Sequence, residues 1–170
     1  MALPNILKNF NLFTDGESLM GVAEEIVLPK LARKMEEYQG GGMPIPVDID
    51  LGNQKIEFDW TCAGSVFDLV KQYGAAKASA KLLRFAGAYQ RDDTEAVQAV
   101  EIVVRGRHAE IDFGSQKIGS ANKTKVKTTC SYYKLTVDGV VLIEIDGPAM
   151  IHIVNGVDMM DAQRKAIGLA

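Results

Sequence analysis

Polar and apolar residues alternate most strictly at residues 54–62, where Ile56, Phe58, Trp60 and Cys62 fall on one side and Lys55, Glu57, Asp59 and Thr61 on the other. A period of two puts successive side chains on opposite faces of a pleated strand, so this segment reads as a half-buried strand. Residues 95–108 repeat the pattern. Val100, Ile102 and Val104 point inward, while Glu95, Glu101, Arg105 and Arg107 alternate with them; Val97, Ala99 and Val103 add an apolar tint to the outer face, which invites a partner. Residues 82–89 read as the preceding strand, and the polar run QRDDTE at 90–95 as the turn between the two. Further on, Lys123, Lys125 and Lys127 alternate with Thr124, Val126 and Thr128 ahead of SYYKLTV. Asp138-Gly139 then separates two apolar runs, a strong hairpin signal because glycine accepts the positive φ of a tight turn. An earlier hairpin is predicted where residues 14–17 (TDGE) separate Asn11-Leu12-Phe13 from residues 19–22.

Helical signals are few. Ser65 is placed to cap a helix, with Asp68 three residues on, a core-facing set of Val66, Phe67, Leu69, Val70 and Tyr73, and Gly74 as the stop. A second helix is predicted over 158–167, with Asp158 as cap and Gly168 as the stop. Residues 28–38 are ambiguous. Pro29 followed by LARKMEEY has good helix propensity, yet an extended arm is also open. The fold class is mainly β (α+β): an antiparallel β-barrel or sandwich with one short packed helix, a protruding arm or loop, and a C-terminal helix.

Composition narrows the function classes. The 170 residues suit one domain, residues 1–170, that buries roughly 70% of its unfolded surface. Hydrophobic residues are 47% and charged ones 24%, the balance of a folded globular chain. A formal charge of −3 offers no basic field to hold nucleic acid or an anionic membrane. No run approaches the roughly 18 apolar residues of a membrane-spanning helix, and the first residues lack a secretory pattern, so synthesis in the cytosol and no membrane anchor are expected. Cys62 and Cys130 are then expected as buried free thiols.

No residue set points to chemistry. His108 and His152 are expected as structural histidines, since neither has a nucleophile or a metal-ligand spacing beside it. Lys123, Lys125 and Lys127 read as a solvated or salt-bridging strand face rather than a phosphate row. Arg91, Asp92, Asp93 and Asp112 match no cation loop, and the glycines at 40–42, 106, 114 and 119 form no phosphate-cradling fingerprint. Phe58 and Trp60 read as core anchors, not a base-stacking platform. Catalytic, cofactor and metal residues are therefore all expected to be none, and the chain is not expected to be an enzyme.

The blocks TDGESLMG, LPKLARKMEEYQGGGM, LRFAGAYQRDD, VVRGRHAEIDFGS, SYYKLTVDG and IVNGVD, in this order across residues 11–168, resemble the major tail tube proteins of phages with contractile tails. They are also similar to tube proteins of R-type bacteriocins and, more distantly, to the type VI secretion tube. The resemblance implies a structural subunit that assembles with itself into hexameric rings, stacked inside a sheath. It implies, as partners, a tail sheath protein, a tape-measure protein in the lumen, and baseplate and tail terminator proteins. DNA would pass through the lumen without specific binding, and the site of action would be the virion, after synthesis in the bacterial host cytoplasm. Gly40-Gly41-Gly42 would then be a hinge letting the preceding arm swing onto an adjacent ring, or a plain surface loop. Apolar residues 140–145 would supply faces for neighbours to cover. A basic wall repeated ring after ring would grip phosphates, so acidic side chains are expected to outnumber basic ones on the inner surface. A bacteriocin tube that conducts no DNA remains open, as does a monomeric β-barrel that binds a small ligand.

Overall fold

The computed structural model describes residues 2–169. Its strands run in chain order: β1 (Ile6–Thr14), β2 (Glu17–Ser18), β3 (Ala23–Val27), β4 (Arg33–Tyr38), β5 (Val47–Asn53), β6 (Ile56–Ala63), β7 (Lys81–Gln90), β8 (Val97–Asp112), β9 (Lys123–Val137), β10 (Val140–Asp146), β11 (Ile151–Val154) and β12 (Val157–Asp158). A 3-10 turn spans Phe67–Gln72, and one α-helix, α1, spans Asp161–Ala166. All pairings are antiparallel, as the alternation and the tight turns require.

The long strand β9 organises the ten-stranded main sheet. One of its edges pairs with β8 over residues 125–137, while the other is shared, β6 taking residues 123–130 and β10 taking 132–137. The register shifts twice between β8 and β9, at Arg105/Gly106 and at His108/Glu110. Bulges of this kind bend strands and sharpen their twist. The sheet rolls, so that Phe58, Trp60 and Cys62 of β6 share one core with Leu12 of β1, Leu83 and Phe85 of β7, Ile102 and Val104 of β8, and Val126 and Tyr133 of β9. Residues 19–22 bridge the two wings: Leu19 N–H donates to the Leu12 carbonyl at 2.7 Å, and Ala63 N–H to the Val22 carbonyl at 2.8 Å. This is the mainly β, barrel-or-sandwich class that the alternation predicts.

The alternation of residues 54–62 appears as β6, whose residues are in turn buried and half-buried along its whole length. Asp138-Gly139 forms its turn with φ of 49° and 80°, and Asp15-Gly16 does the same with 48° and 88°. A third turn of this kind, Asn155-Gly156 at 49° and 79°, joins β11 to β12; the sequence reading had not singled it out as a hairpin.

Several expectations need correction. Residues 19–22 are not a strand, because β2 stops at Ser18 and the chain turns to carry β3 across to β6. The segment after Ser65 is a 3-10 turn, not an α-helix, and no side chain caps it; the Ser65 hydroxyl is instead engaged with Gln116 and Asn122. Leu69 (3% exposed) enters the core from that segment and the half-buried Val66 packs against it, whereas Phe67 (67%), Val70 (49%) and Tyr73 (60%) face solvent. A 3-10 turn eclipses i and i+3 and cannot gather five apolar residues on one side. Gly74 does end it, at φ 79°. The C-terminal helix starts at Asp161, three residues later than expected, because Asp158 is held in β12 opposite Ile153. Gly168 stops it as expected: Gly168 and Leu169 N–H groups donate back to the Lys165 and Arg164 carbonyls, a Schellman closure.

Residues 28–38 resolve as extended. β4 pairs with β5 in a two-stranded sheet of its own, an arm whose residues are almost all exposed. The glycines at 40–42 are not its hinge. They sit at its tip, where Gly42 takes φ 83° and Met43 N–H closes onto the Gly40 carbonyl at 3.2 Å. The arm joins the body through residues 28–32 and at Gln54, whose N–H donates to the Ala32 carbonyl at 2.8 Å.

Candidate assembly surfaces

The arm carries an apolar stripe on β5, across from which β4 places Tyr38 beside Val47 and Glu36 beside Ile49. Along β5, Val47, Ile49 and Leu51 share one side, with Tyr38 opposite Val47, while Asp48 and Asp50 take the other. Each of those four apolar residues is about half exposed in the isolated chain. A two-stranded hairpin is barely stable in water, and an apolar stripe on one that projects from the body has no core of its own to enter. The stripe therefore marks a contact surface. At the root, the Arg33 guanidinium pairs with Asp50 and reaches Asn53 Oδ1 at 2.8 Å. The Arg33 hydrogen bond, with help from Gly52 N–H, holds the Asp50 carboxyl below its usual range.

Between that root and the C-terminal hairpin lies a hollow of about 880 Å3, bordered by Asp50, Asp146, Met150, His152, Met160 and Gln163. It is a surface cleft rather than a chamber inside the core. His152 is among its lining residues, and no group of three or more His, Cys, Asp and Glu among the described residues could hold a metal ion.

Among the described residues β3 pairs only with β6, which leaves its other edge open. Beside it on β6, Asp59 keeps one carboxylate oxygen, Oδ1, shielded from solvent with no hydrogen-bond partner among the described residues. A buried unpaired acceptor costs on the order of 1–3 kcal/mol, which a donor from outside the chain would recover.

The lysine row on β9 lies between acidic strands. Lys123 pairs with Glu24 at 2.9 Å, Lys125 sits opposite Asp112 of β8, and Lys127 sits opposite both Asp59 of β6 and Glu110 of β8. This is a charge-balanced face, not a phosphate row. The Arg91 guanidinium likewise folds back on Asp93, at 2.6 Å, as turn chemistry would have it.

His108 is buried in a closed hydrogen-bond chain. Its Nε2–H donates to Gln72 Oε1 at 3.1 Å, its Nδ1 accepts from the Thr128 hydroxyl at 2.9 Å, and that hydroxyl oxygen accepts from Trp60 Nε1–H at 3.4 Å. Burial, with Lys81 nearby, pushes the imidazole below its ordinary pKa, against a weaker pull from Asp15. The unfolded chain then takes up a proton near pH 6.5 before the folded chain does, so His108 destabilises the fold as pH falls through and below that value. Calorimetric melting is expected to show the melting temperature dropping from pH 7.5 to pH 5, and His108→Gln to flatten that drop. An equal drop in the variant would refute the assignment.

The thiols are quiet. Burial raises Cys62 to about 11 and Cys130 to about 12, so neither is a nucleophile near neutrality, and both are free.

What the surfaces lack in chemistry they make up in exposed apolar strand and open edge, and comparison with known proteins gives the reason. Residues 4–168 match the family model described as phage tail tube protein FII. The chain belongs to that family. It is 45% identical over 172 aligned positions to the tail tube protein of Escherichia phage P2, covering 99% of this chain and all of the relative. It is 36% identical to the major tail tube protein of Serratia phage KSP20, covering 86% of this chain and 85% of that one. Among solved structures, the fold is similar to the anti-feeding prophage tube-terminating cap (TM-score 0.61, 9% identity, 80% of this chain and 93% of that chain). It is similar also to the sheath-tube complex of the PVC extracellular contractile injection system (TM-score 0.59, 10% identity, 78% and 91%). At such identities the likeness is one of fold. As a phage tail tube protein the chain is a structural component of the virion and not an enzyme, in keeping with the sequence reading.

Proposed function

We propose that this tail tube protein, acting as one unit over residues 1–170, forms hexameric rings that stack into a cylinder through whose lumen phage DNA passes into the host. The observation that carries the reading is the arm: a hairpin with a bare apolar stripe, projecting from a body whose own core is already closed. A head-to-tail contact repeated by rotation closes a ring, and one that also translates makes a stack, so a subunit needs complementary surfaces beyond its core. The open edge of β3 and the orphaned Asp59 oxygen supply further places for a neighbouring copy. The similar injection-system structures contain a sheath with the tube, a sheath/tube terminator and a baseplate. By that analogy, this chain's partners are a tail sheath protein, a terminator and a baseplate, with a tape-measure protein in the lumen. Synthesis takes place in the bacterial host cytoplasm.

Electron microscopy of the purified chain at high concentration is expected to show rings and tubes of sixfold symmetry, with acidic side chains outnumbering basic ones on the inner wall. Compact monomers at every concentration, with a small molecule in the cleft at the arm's root, would replace this reading by that of a ligand-binding module. A lumen ringed with lysine would defeat the DNA-conduit part alone.

A further inference from the structure

From the placement of two unpartnered apolar surfaces at opposite ends of one strand, we infer that the arm of each copy docks on the patch formed by Phe67, Val70, Tyr73, Phe113 and Ile118 of a copy in the next ring. The inference rests on the stacked-ring reading and names the receiving surface within it.

Phe67, Val70, Tyr73 and Phe113 adjoin one another. The Phe67 and Phe113 rings meet with centroids 5.0 Å apart, and a hollow of about 290 Å3 opens between Val70, Tyr73, Ile111 and Phe113. The loop after Phe113 is tied beside the 3-10 turn, because Asn122 Nδ2 and the Ser65 hydroxyl both donate to Gln116 Oε1, at 3.0 and 3.3 Å. That loop presents Ile118, which is fully exposed. Apolar residues turned outward at this density on a chain with a filled core mark a protein contact. The hollow suits inserted side chains of Val or Ile size.

Position selects the arm as the occupant. β6 leaves the arm at Ile56 and ends at Ala63, after which Gly64 N–H donates to the Asn122 carbonyl at 2.8 Å and the 3-10 turn begins. Eight strand residues span on the order of 25 Å, so arm and patch occupy opposite poles of the molecule along β6. A copy displaced along that strand brings its arm to its neighbour's patch, which is the head-to-tail relation a stack requires. Charge agrees. Glu36, Glu37, Asp48 and Asp50 against Arg33 and Lys34 leave the arm at −2. Only Asp50 of those four acids is paired among the described residues. Beside the patch stands Lys117, also unpaired among the described residues, while Lys71 is matched by Asp68 and the acidic Glu110 and Asp112 face Lys127 and Lys125 across the ladder.

A mixing experiment decides the matter. One full-length variant carries Tyr73→Asp and Ile118→Asp, which disable the patch; another carries Val47→Asp and Ile49→Asp, which disable the arm. All four side chains are exposed, and matching melting temperatures verify that both variants fold. Each alone is expected to yield at least tenfold less sedimenting tube than the wild type. Each keeps one working surface, so the mixture is expected to give particles two rings thick and no longer. If the patch variant forms tubes as the wild type does, or if the mixture gives single rings only, the docking site lies elsewhere and the inference fails while the stacked-ring reading stands. If the wild type itself forms no tubes, the stacked-ring reading fails first.

Discussion

Gly106→Ala is expected to lower the melting temperature by about 10 °C, or to leave no soluble protein. A methyl carbon built at Gly106 would sit 2.0 Å from the Thr129 carbonyl oxygen and 2.8 Å from its carbon. These are backbone atoms of the partner strand, locked by the β8–β9 ladder at the register shift, so no rotamer relieves the clash. Overpacking against mobile side chains costs roughly 1–3 kcal/mol, and a rigid backbone puts this case at or above the top of that range. In a chain of this length each kcal/mol moves the melting point by about 2–4 °C. The control is Gly41→Ala at the arm's tip, where an added methyl meets nothing within 4 Å; it is expected to stay within about 0.5 kcal/mol of the wild type. Equal melting of the two variants would show that the bulge relaxes freely.

The second large effect falls on assembly and leaves the fold alone. Val47→Asp with Ile49→Asp removes the apolar stripe from a ribbon that touches no core, so the monomer's stability is expected to change by no more than about 0.5 kcal/mol. In a stack the same change forfeits roughly 2 kcal/mol of apolar burial per copy and adds the cost of drying two carboxylates. Every copy of a ring suffers it together, so tubes are expected to vanish at concentrations where the wild type polymerises fully. Sedimentation beside a melting curve separates the two quantities, and tubes of normal yield would show that the stripe lies outside every contact.

Much of the framework was legible from short-range pattern. The alternation through Ile56, Phe58, Trp60 and Cys62 anticipated β6 and its buried face, and Asp15-Gly16 and Asp138-Gly139 anticipated their hairpins. The arm was not legible, because MEEY has helix propensity and only pairing with the distant Val47, Asp48, Ile49 and Asp50 turns it into a strand. The outward aromatics were misread for a related reason. Phe67, Val70 and Tyr73 follow helical spacing, but the core is already filled by residues such as Trp60, Phe85 and Val104, and from this segment it takes Leu69, with Val66 packed at its margin. The Asn155-Gly156 turn carried a readable signal in its own sequence and could have been found.

The sequence by itself therefore determined the alternating strands of the body and the Asp-Gly turns, since these depend on the side-chain period and on torsions that neighbouring residues impose. Tertiary structure alone decided that residues 33–38 are extended, that the glycines at 40–42 cap a tip, that Gly106 abuts Thr129, and that an aromatic patch faces out opposite the arm. Each of these depends on which distant segments compete for one filled core and one set of strand edges, and local propensity, worth less than about 1 kcal/mol per residue, yields to that competition.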